Sequence, residues 1–363
     1  FINELRLFDI HNLVQYGVHI YSSEQTPSFL HATSLYHPET VLRSLVHDGS
    51  GEEPGFKDPH TGTWDLRPHA SRIEHINDSA LKTWQLITEA EDWRSTSMVS
   101  TVNSAAAQTL TVLATQPRIG GLNLQFSTGW NETTDFQNGL FSKQWGPASW
   151  DDAIIQGPHL HVSTPLYKQP NESMKSNKDW ASTDLEALPV DAQPITQYKP
   201  ADDRATYDRL YTHWDGSSAR DHYRIAWRTQ VPLTGERTLT PSIIPPGSAH
   251  VDGLYSAGSP QHHEDGLVLA SGALSSLLVD FYTRSRGFSH IRSSAANSLP
   301  TVSPTSPLAL RVRYRTLRLN CLTDAYTDLW AECWDESFVA DSPILERYDE
   351  RPIGPEWTTD TPL

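Results

Sequence analysis

The stretch His222–Gly247, HYRIAWRTQVPLTGERTLTPSIIPPG, governs how the rest of the chain is read. Tyr223, Ile225, Trp227, Thr229 and Val231 alternate with Arg224, Ala226, Arg228 and Gln230. That period of two predicts a strand with one apolar face and one face carrying two arginines. Pro232 ends it, and Leu233-Thr234-Gly235-Glu236 has turn chemistry. Arg237–Ile244 is expected to form a second strand, stopped by Pro245-Pro246-Gly247. A hairpin-like unit of this kind mounts guanidinium groups on stiff backbone, which suits gripping a phosphate or reading the edge of a guanine. The same pattern also serves a plainer purpose, with Arg224 and Arg228 paired to carboxylates on a neighbouring strand.

The chain has 363 residues, 37% of them hydrophobic and 12 of them Trp, enough for a sizeable core and too apolar for disorder. Its 25 Pro and 20 Gly favour loops and strand edges over long helices. Cys321 and Cys333 are the only cysteines and make no Cys-x-x-Cys pair. They are expected to be reduced, packed thiols in a cytoplasmic protein. No apolar run is long enough to span a bilayer, and FINELRLFDI lacks the basic and apolar regions of a signal peptide. A start on Phe1 rather than Met is expected of a fragment or processed product. The net charge of −16 argues against a bulk nucleic-acid binder. Its distribution is uneven: residues 204–318 hold thirteen arginines and no lysine against eight carboxylates, while the chain on either side is acidic. A locally basic surface still neutralises phosphates, because fields decay over a Debye length of ~8–10 Å.

Leu5-Arg6-Leu7-Phe8 and Tyr16–Tyr21 look like a pair of strands. Pro38–Val46 and Asp78–Asp92 are expected as helices, the second with Leu81, Trp84 and Ile87 along one side, and His47–Pro68 as a long loop between them. From Trp93 the composition shifts to Ser, Thr and Ala, and Thr109–Thr115, Gly121–Phe126 and Ile154–Val162 read as strands. Tyr167–Trp180 is a polar loop bearing Lys168, Lys175 and Lys178, either a groove-entering loop or a solvated one. Gly272–Arg286 fits one helix with Leu274, Leu277, Leu278 and Phe281 on a single face. Ser306-Pro307 opens another, continuing toward Trp330, with Arg311, Arg315 and Arg318 as a stripe; a strand competes, since Arg311, Arg313 and Arg315 also alternate with apolar residues.

Tyr223-Arg224-x-x-x-Arg228, then Glu236-Arg237-Thr238-Leu239, then Ile243-Ile244-Pro245-Pro246-Gly247 resembles the C-terminal specificity region of large DNA adenine methyltransferases. These are the single-chain type II restriction-modification enzymes and the related phage-defence methylases of the BREX and DISARM kind. Gly157-Pro158-His159-Leu160-His161, Thr164-Pro165-Leu166-Tyr167-Lys168, Trp180, Asp184-Leu185, Ser275–Phe281 and Leu319-Asn320-Cys321-Leu322 match in the same order. The resemblance covers roughly the second two-thirds of the chain, and its specificity lies in collinear order rather than in any one piece.

What the resemblance implies is an α+β fold: a strand-rich mixed specificity domain with later helices, preceded by the terminal strands of a methyltransferase-like domain. Residues 1–92 would close the catalytic domain and connect it, 93–340 would form the target-recognition domain, and 341–363 an acidic tail. The partners would be duplex DNA and a catalytic methyltransferase domain upstream, with no membrane. S-adenosylmethionine would belong to the parent and no cofactor to this fragment. The expected DNA contacts are Arg224, Arg228 and Arg237 on the hairpin, Lys168 and Lys175 in the polar loop, and Arg315 and Arg318 on the late helix.

Catalytic chemistry is not legible in this chain. Adenine methylation needs a Gly-rich cofactor loop and an Asn/Asp-Pro-Pro-aromatic segment. The only Pro-Pro, in Ile244-Pro245-Pro246-Gly247, lacks both flanking groups, and no F-x-G-x-G run occurs. His159 with His161, and His262-His263-Glu264-Asp265, are the nearest approaches to a metal site, in a chain with 16 histidines. No nuclease PD-x-(D/E)-x-K or Gly-x-Ser-x-Gly elbow is present. The rival from another class is a strand-rich, non-enzymatic protein- or carbohydrate-binding module, favoured by the acidity and the tryptophans.

Overall fold

The computed structural model describes residues 1–340 apart from 4, 5, 7, 12, 13, 15, 24, 147, 148, 177, 233, 234 and 262. The chain divides into two compact units, residues 1–116 with 284–287, and 117–283 with the chain from 288 onward. The division follows Gln116 rather than residue 92, so the segment from Trp93 groups with the first unit. The expected acidic tail, 341–363, lies outside the described residues.

In the first unit β1 (Ser28–His31) pairs antiparallel with β2 (Glu74–Asn77). Its helices are α1 (Pro38–Ser44), α2 (Asp78–Thr88) and α3 (Ser104–Ala114). Pro38 opens α1, where its missing N–H is no loss. Asn77, not Asp78, caps α2 by accepting from the Ala80 N–H, and Trp84 and Ile87 are buried from that helix. The strand expected at Thr109–Thr115 is part of helix α3. Asn103 caps it by accepting from Ala106 N–H, alanines fill its first turn, and Leu110 and Leu113 share the buried face. The segment 47–68 is tied down by Asp65, whose buried carboxylate accepts from the Gly55 and Arg67 N–H groups and from the Arg67 guanidinium. Residues 16–21 form no strand, and Leu5 and Leu7 of the strand expected beside them lie outside the described residues.

The second unit carries most of the strands. They are β3 (Gln125–Ser127), β4 (Phe141–Lys143), β5 (Ile154–Ile155), β6 (Lys168–Pro170), β7 (Trp180–Ser182), β8 (Tyr198–Pro200), β9 (His213–Trp214), β10 (Ser217–Ser218), β11 (Arg224–Arg228), β12 (Ser242–Ile244), β13 (Ala249–His250) and β14 (Leu254–Gly258). Its helices are α4 (Thr134–Gln137), α5 (Arg204–Leu210), α6 (Glu264–Ser275), α7 (Leu277–Arg286, whose last three residues group with the first unit), α8 (Ser293–Asn297), α9 (Ala309–Asn320) and α10 (Thr327–Cys333). The fold is α+β.

β11 lies inside a four-stranded antiparallel sheet ordered β12-β11-β14-β3, with Arg224 opposite Ile244 on one side and Gly258 on the other. The expected polar face does not exist: Arg224 and Ala226 are as buried as Ile225 and Trp227. The second strand is also shorter than expected, because the Thr238 and Leu239 N–H groups donate to the buried Asp280 carboxylate (2.7 and 2.8 Å) instead of to β11. The turn residues Leu233 and Thr234 lie outside the described residues. Of the strand expected at Gly121–Phe126 only the last two residues fall in β3, and of Ile154–Val162 only the two residues of β5 remain strand.

The helix expected over Gly272–Arg286 is two helices meeting at 67°. Ser276 is extended; its hydroxyl donates to the Ala273 carbonyl and accepts from Val279 N–H, ending α6 and starting α7. The bend turns Leu277 and Leu278 outward, 72% and 54% exposed, away from the core expected for them. α9 begins at Ala309, two residues past the expected first position Pro307, with Leu308 and not Ser306 at its N-cap, and it stops at Asn320, well short of Trp330, which a separate α10 holds. α6 packs on α9 at Gly272, where a Cβ would strike Val312 and Thr316. Asn320 and Tyr326 join this layer to the sheet through the Ile243 N–H (3.0 Å) and carbonyl (2.8 Å). Cys321 and Cys333 are buried beside them, and burial pushes both thiols well above their usual pKa. No single helix among the described residues is long and apolar enough to cross a membrane.

Candidate nucleic-acid interface

Arg228, the last residue of β11, is half-buried, and its side chain closes a turn of the chain instead of pointing outward. Its Nε donates to the Gly157 carbonyl (2.8 Å) and one terminal nitrogen to the Leu160 carbonyl (3.1 Å). That turn is itself rigid. His159 is fully buried; its Nε2 lies 2.8 Å from the Ile195 carbonyl and its Nδ1 3.0 Å from the Gln156 N–H. Burial holds the imidazole down at about 4, so it is neutral. The chain then reverses at His161–Thr164 through paired backbone hydrogen bonds, with Ser163 at φ 64°.

His161 faces a group of cations. Burial lowers its pKa most, and the charges of Arg228, Arg237 and Lys168 lower it further, opposed by Glu236. Its ring lies 4.6 Å from that of Tyr167, and the Lys168 ammonium sits 5.2 Å from the same tyrosine. Arg237 is held by the Ser275 carbonyl (2.8 Å) and by Asp280 (3.3 Å). Arg228 differs from Arg237: among the described residues its guanidinium meets carbonyl oxygens and no carboxylate, and burial pushes its pKa down. Asp280 already matches Arg237 and Glu236 lies exposed nearby, so the cations with no carboxylate partner among the described residues are the half-buried Arg228 and Lys168.

Three expected site residues therefore come together, Arg228, Arg237 and Lys168. Arg224 does not join them, and its assignment as a DNA contact is corrected. It is fully buried and donates to the Ser248 carbonyl, the Ser248 hydroxyl (3.1 Å) and the Tyr211 hydroxyl (3.3 Å), bracing the turn after Pro245-Pro246. Lys175 lies exposed in the turn between β6 and β7. Arg315 and Arg318 lie on α9, where Arg315 donates to the Arg311 carbonyl (3.3 Å) and the Arg318 guanidinium sits 5.7 Å from the Tyr314 ring. The site residues not expected are His161 and Tyr167. Sequence reading paired His161 with His159 on one strand face, but the turn sends His159 into the core. Their place within the HVSTPLYK run, beside an expected lysine, was the available signal.

Among the described residues no group of three or more His, Cys, Asp or Glu could hold a metal ion. His262 lies outside them, Asp265 pairs with Arg313, and Glu264 is buried. A polar cleft of about 690 Å³ lies elsewhere, against Pro246 and Gly247. Its Arg204, Arg209 and Arg220 are offset by Asp151, Asp208 and Asp221, so it has no net preference for anions. No known family model matches the sequence, and no curated protein matches it.

Proposed function

We propose that this chain is the target-recognition portion of an N6-adenine DNA methyltransferase of the restriction-modification or phage-defence kind, and that the Arg228–Arg237–Lys168–His161 site grips the phosphate backbone of duplex DNA. The observation that carries the reading is the half-buried Arg228 without a carboxylate, set beside Lys168 and Arg237. The collinear pieces of the resemblance support it from another side, because they interlock. The Arg228 guanidinium grips Gly157-Pro158-His159-Leu160, Asp280 takes the Thr238 and Leu239 N–H groups, and Asn320 takes that of Ile243. Pieces that build one core are expected to keep their order. Methyl transfer from S-adenosylmethionine, in the cytoplasm, falls to a catalytic domain of the parent, since this sequence has neither the cofactor loop nor the adenine-binding segment.

The recessed guanidiniums suit phosphate better than base edges, so the grip is sequence-blind. Titration of a labelled mixed-sequence duplex across a salt series tests it. Affinity is expected to fall with salt, and Lys168→Ala to reduce the log–log slope by about 1. A flat salt response overturns the proposal and favours a protein- or carbohydrate-binding module.

A further inference from the structure

If the cation site only anchors, another element must read sequence, and it must project. The β6–β7 hairpin starts inside the site, because Lys168 is the first residue of β6. Its stem is fixed on three sides. Trp145 Nε1 donates to the Pro170 carbonyl (2.8 Å), Trp180 packs edge-on against the buried His159 ring (4.7 Å), and Thr183 N–H donates to the Tyr167 carbonyl (3.1 Å). Its turn is fixed by one carboxylate. Asp179 accepts from the Asn171 amide (2.7 Å), the Ser173 hydroxyl and the Lys175 N–H (3.1 Å), while its own carbonyl accepts from Asn171 N–H (3.0 Å). Those bonds, the Ser173 hydroxyl foremost, hold the Asp179 carboxyl below its usual range. Outside this clasp Glu172, Lys175 and Lys178 are exposed.

We infer that the β6–β7 turn is the element that reads base edges in the major groove, with Lys175 and Lys178 addressing guanine, Glu172 addressing cytosine, and Asp179 as the positioning residue that sets their geometry. The inference rests on the DNA reading above and goes beyond it by naming the reader. A two-stranded ribbon fits the major groove, lysine donates to guanine O6 and N7, and glutamate accepts from cytosine N4. At about 3.3 Å per residue the three-residue strand carries the start of its turn, Asn171, roughly 10 Å from Lys168. That exceeds a groove depth of about 8.5 Å, so one phosphate seated at Lys168 and Arg228 leaves the turn in reach of bases. A turn already locked by its own carboxylate loses little freedom on binding, and small errors in its shape become errors in sequence choice.

The test is selection from a randomised duplex pool with the full 363-residue chain, followed by sequencing. The expected result is an enriched motif containing at least one G·C pair. Lys175→Ala is expected to lose preference at one such pair by about tenfold, and Asp179→Ala to blur the whole motif. Lys168→Ala should instead lower retention of every sequence alike. An enriched motif that survives both Lys175→Ala and Asp179→Ala overturns this inference and leaves the DNA reading standing, as does retention without any enriched motif. No retention of duplex by the unaltered chain, or retention of RNA in its place, overturns both.

Discussion

Arg224 and Arg228 stand four residues apart on one strand, and their partners separate their roles. Arg224 is enclosed and hydrogen-bonded to the Ser248 carbonyl and two hydroxyls, so removing it leaves buried acceptors unmet. Arg224→Ala is expected to lower unfolding free energy by about 3 kcal/mol in a urea titration, while duplex affinity per folded molecule stays the same. The His161 side chain has a different signature. Burial and the charges of Arg228, Arg237 and Lys168 oppose its protonation in the free protein, with Glu236 opposing them in turn. A bound phosphate weakens that opposition and raises the imidazole pKa, so the complex takes up a proton. Duplex affinity should therefore rise as pH falls from about 7 toward about 5, and His161→Gln should flatten the dependence. An affinity that rises with pH would place His161 away from the anion. The period-two pattern located the arginines correctly but could not say which was enclosed, because the groups that meet Arg224, Tyr211 and Ser248, lie far from it in sequence.

Elements were legible where a local signal stood alone. Pro38 at the start of α1 marked a helix start that the structure contains, whereas Ser306-Pro307 lies just outside α9. Elements were illegible where a long-range partner claimed the backbone, as Asp280 does with Thr238 and Leu239. In α3, Thr109, Thr111 and Val112 carry strand propensity, yet the Asn103 cap and the alanine run outweigh it. The α6–α7 junction shows how little sequence a break needs. Leucine spacing continued through it, and one serine hydroxyl redirected the chain by 67°. Ser276→Ala removes the group that meets Val279 N–H and is expected to cost about 1 kcal/mol, read as a lower unfolding midpoint. A midpoint unchanged from the parent would mean that packing alone sets the bend.

At the level of the whole molecule, the arginine-rich block of an acidic chain is spent in part internally. Arg204 faces Asp152, Arg220 faces Asp208, Arg237 faces Asp280 and Arg313 faces Asp265. Part of the block's positive charge, visible in composition, is thus matched inside the fold, whereas Arg228 meets carbonyl oxygens and, among the described residues, no carboxylate. Fold class was legible from the mixture of short apolar runs and capped helices. Strand order was not, since β3 and β14 are neighbours separated by more than a hundred residues of chain.

The two enclosed cysteines give the second unit a built-in reporter. Cys321 and Cys333 lie in the layer that Asn320 and Tyr326 fasten to β12, with their thiols held protonated by burial. An alkylating reagent should find nothing to modify in the native protein at neutral pH, and modification should proceed at the speed with which α9 and α10 lift off the sheet. Mass spectrometry after timed exposure would then count opening events in that layer without any added label, and prompt modification of both sulfurs would show that the layer is seldom closed.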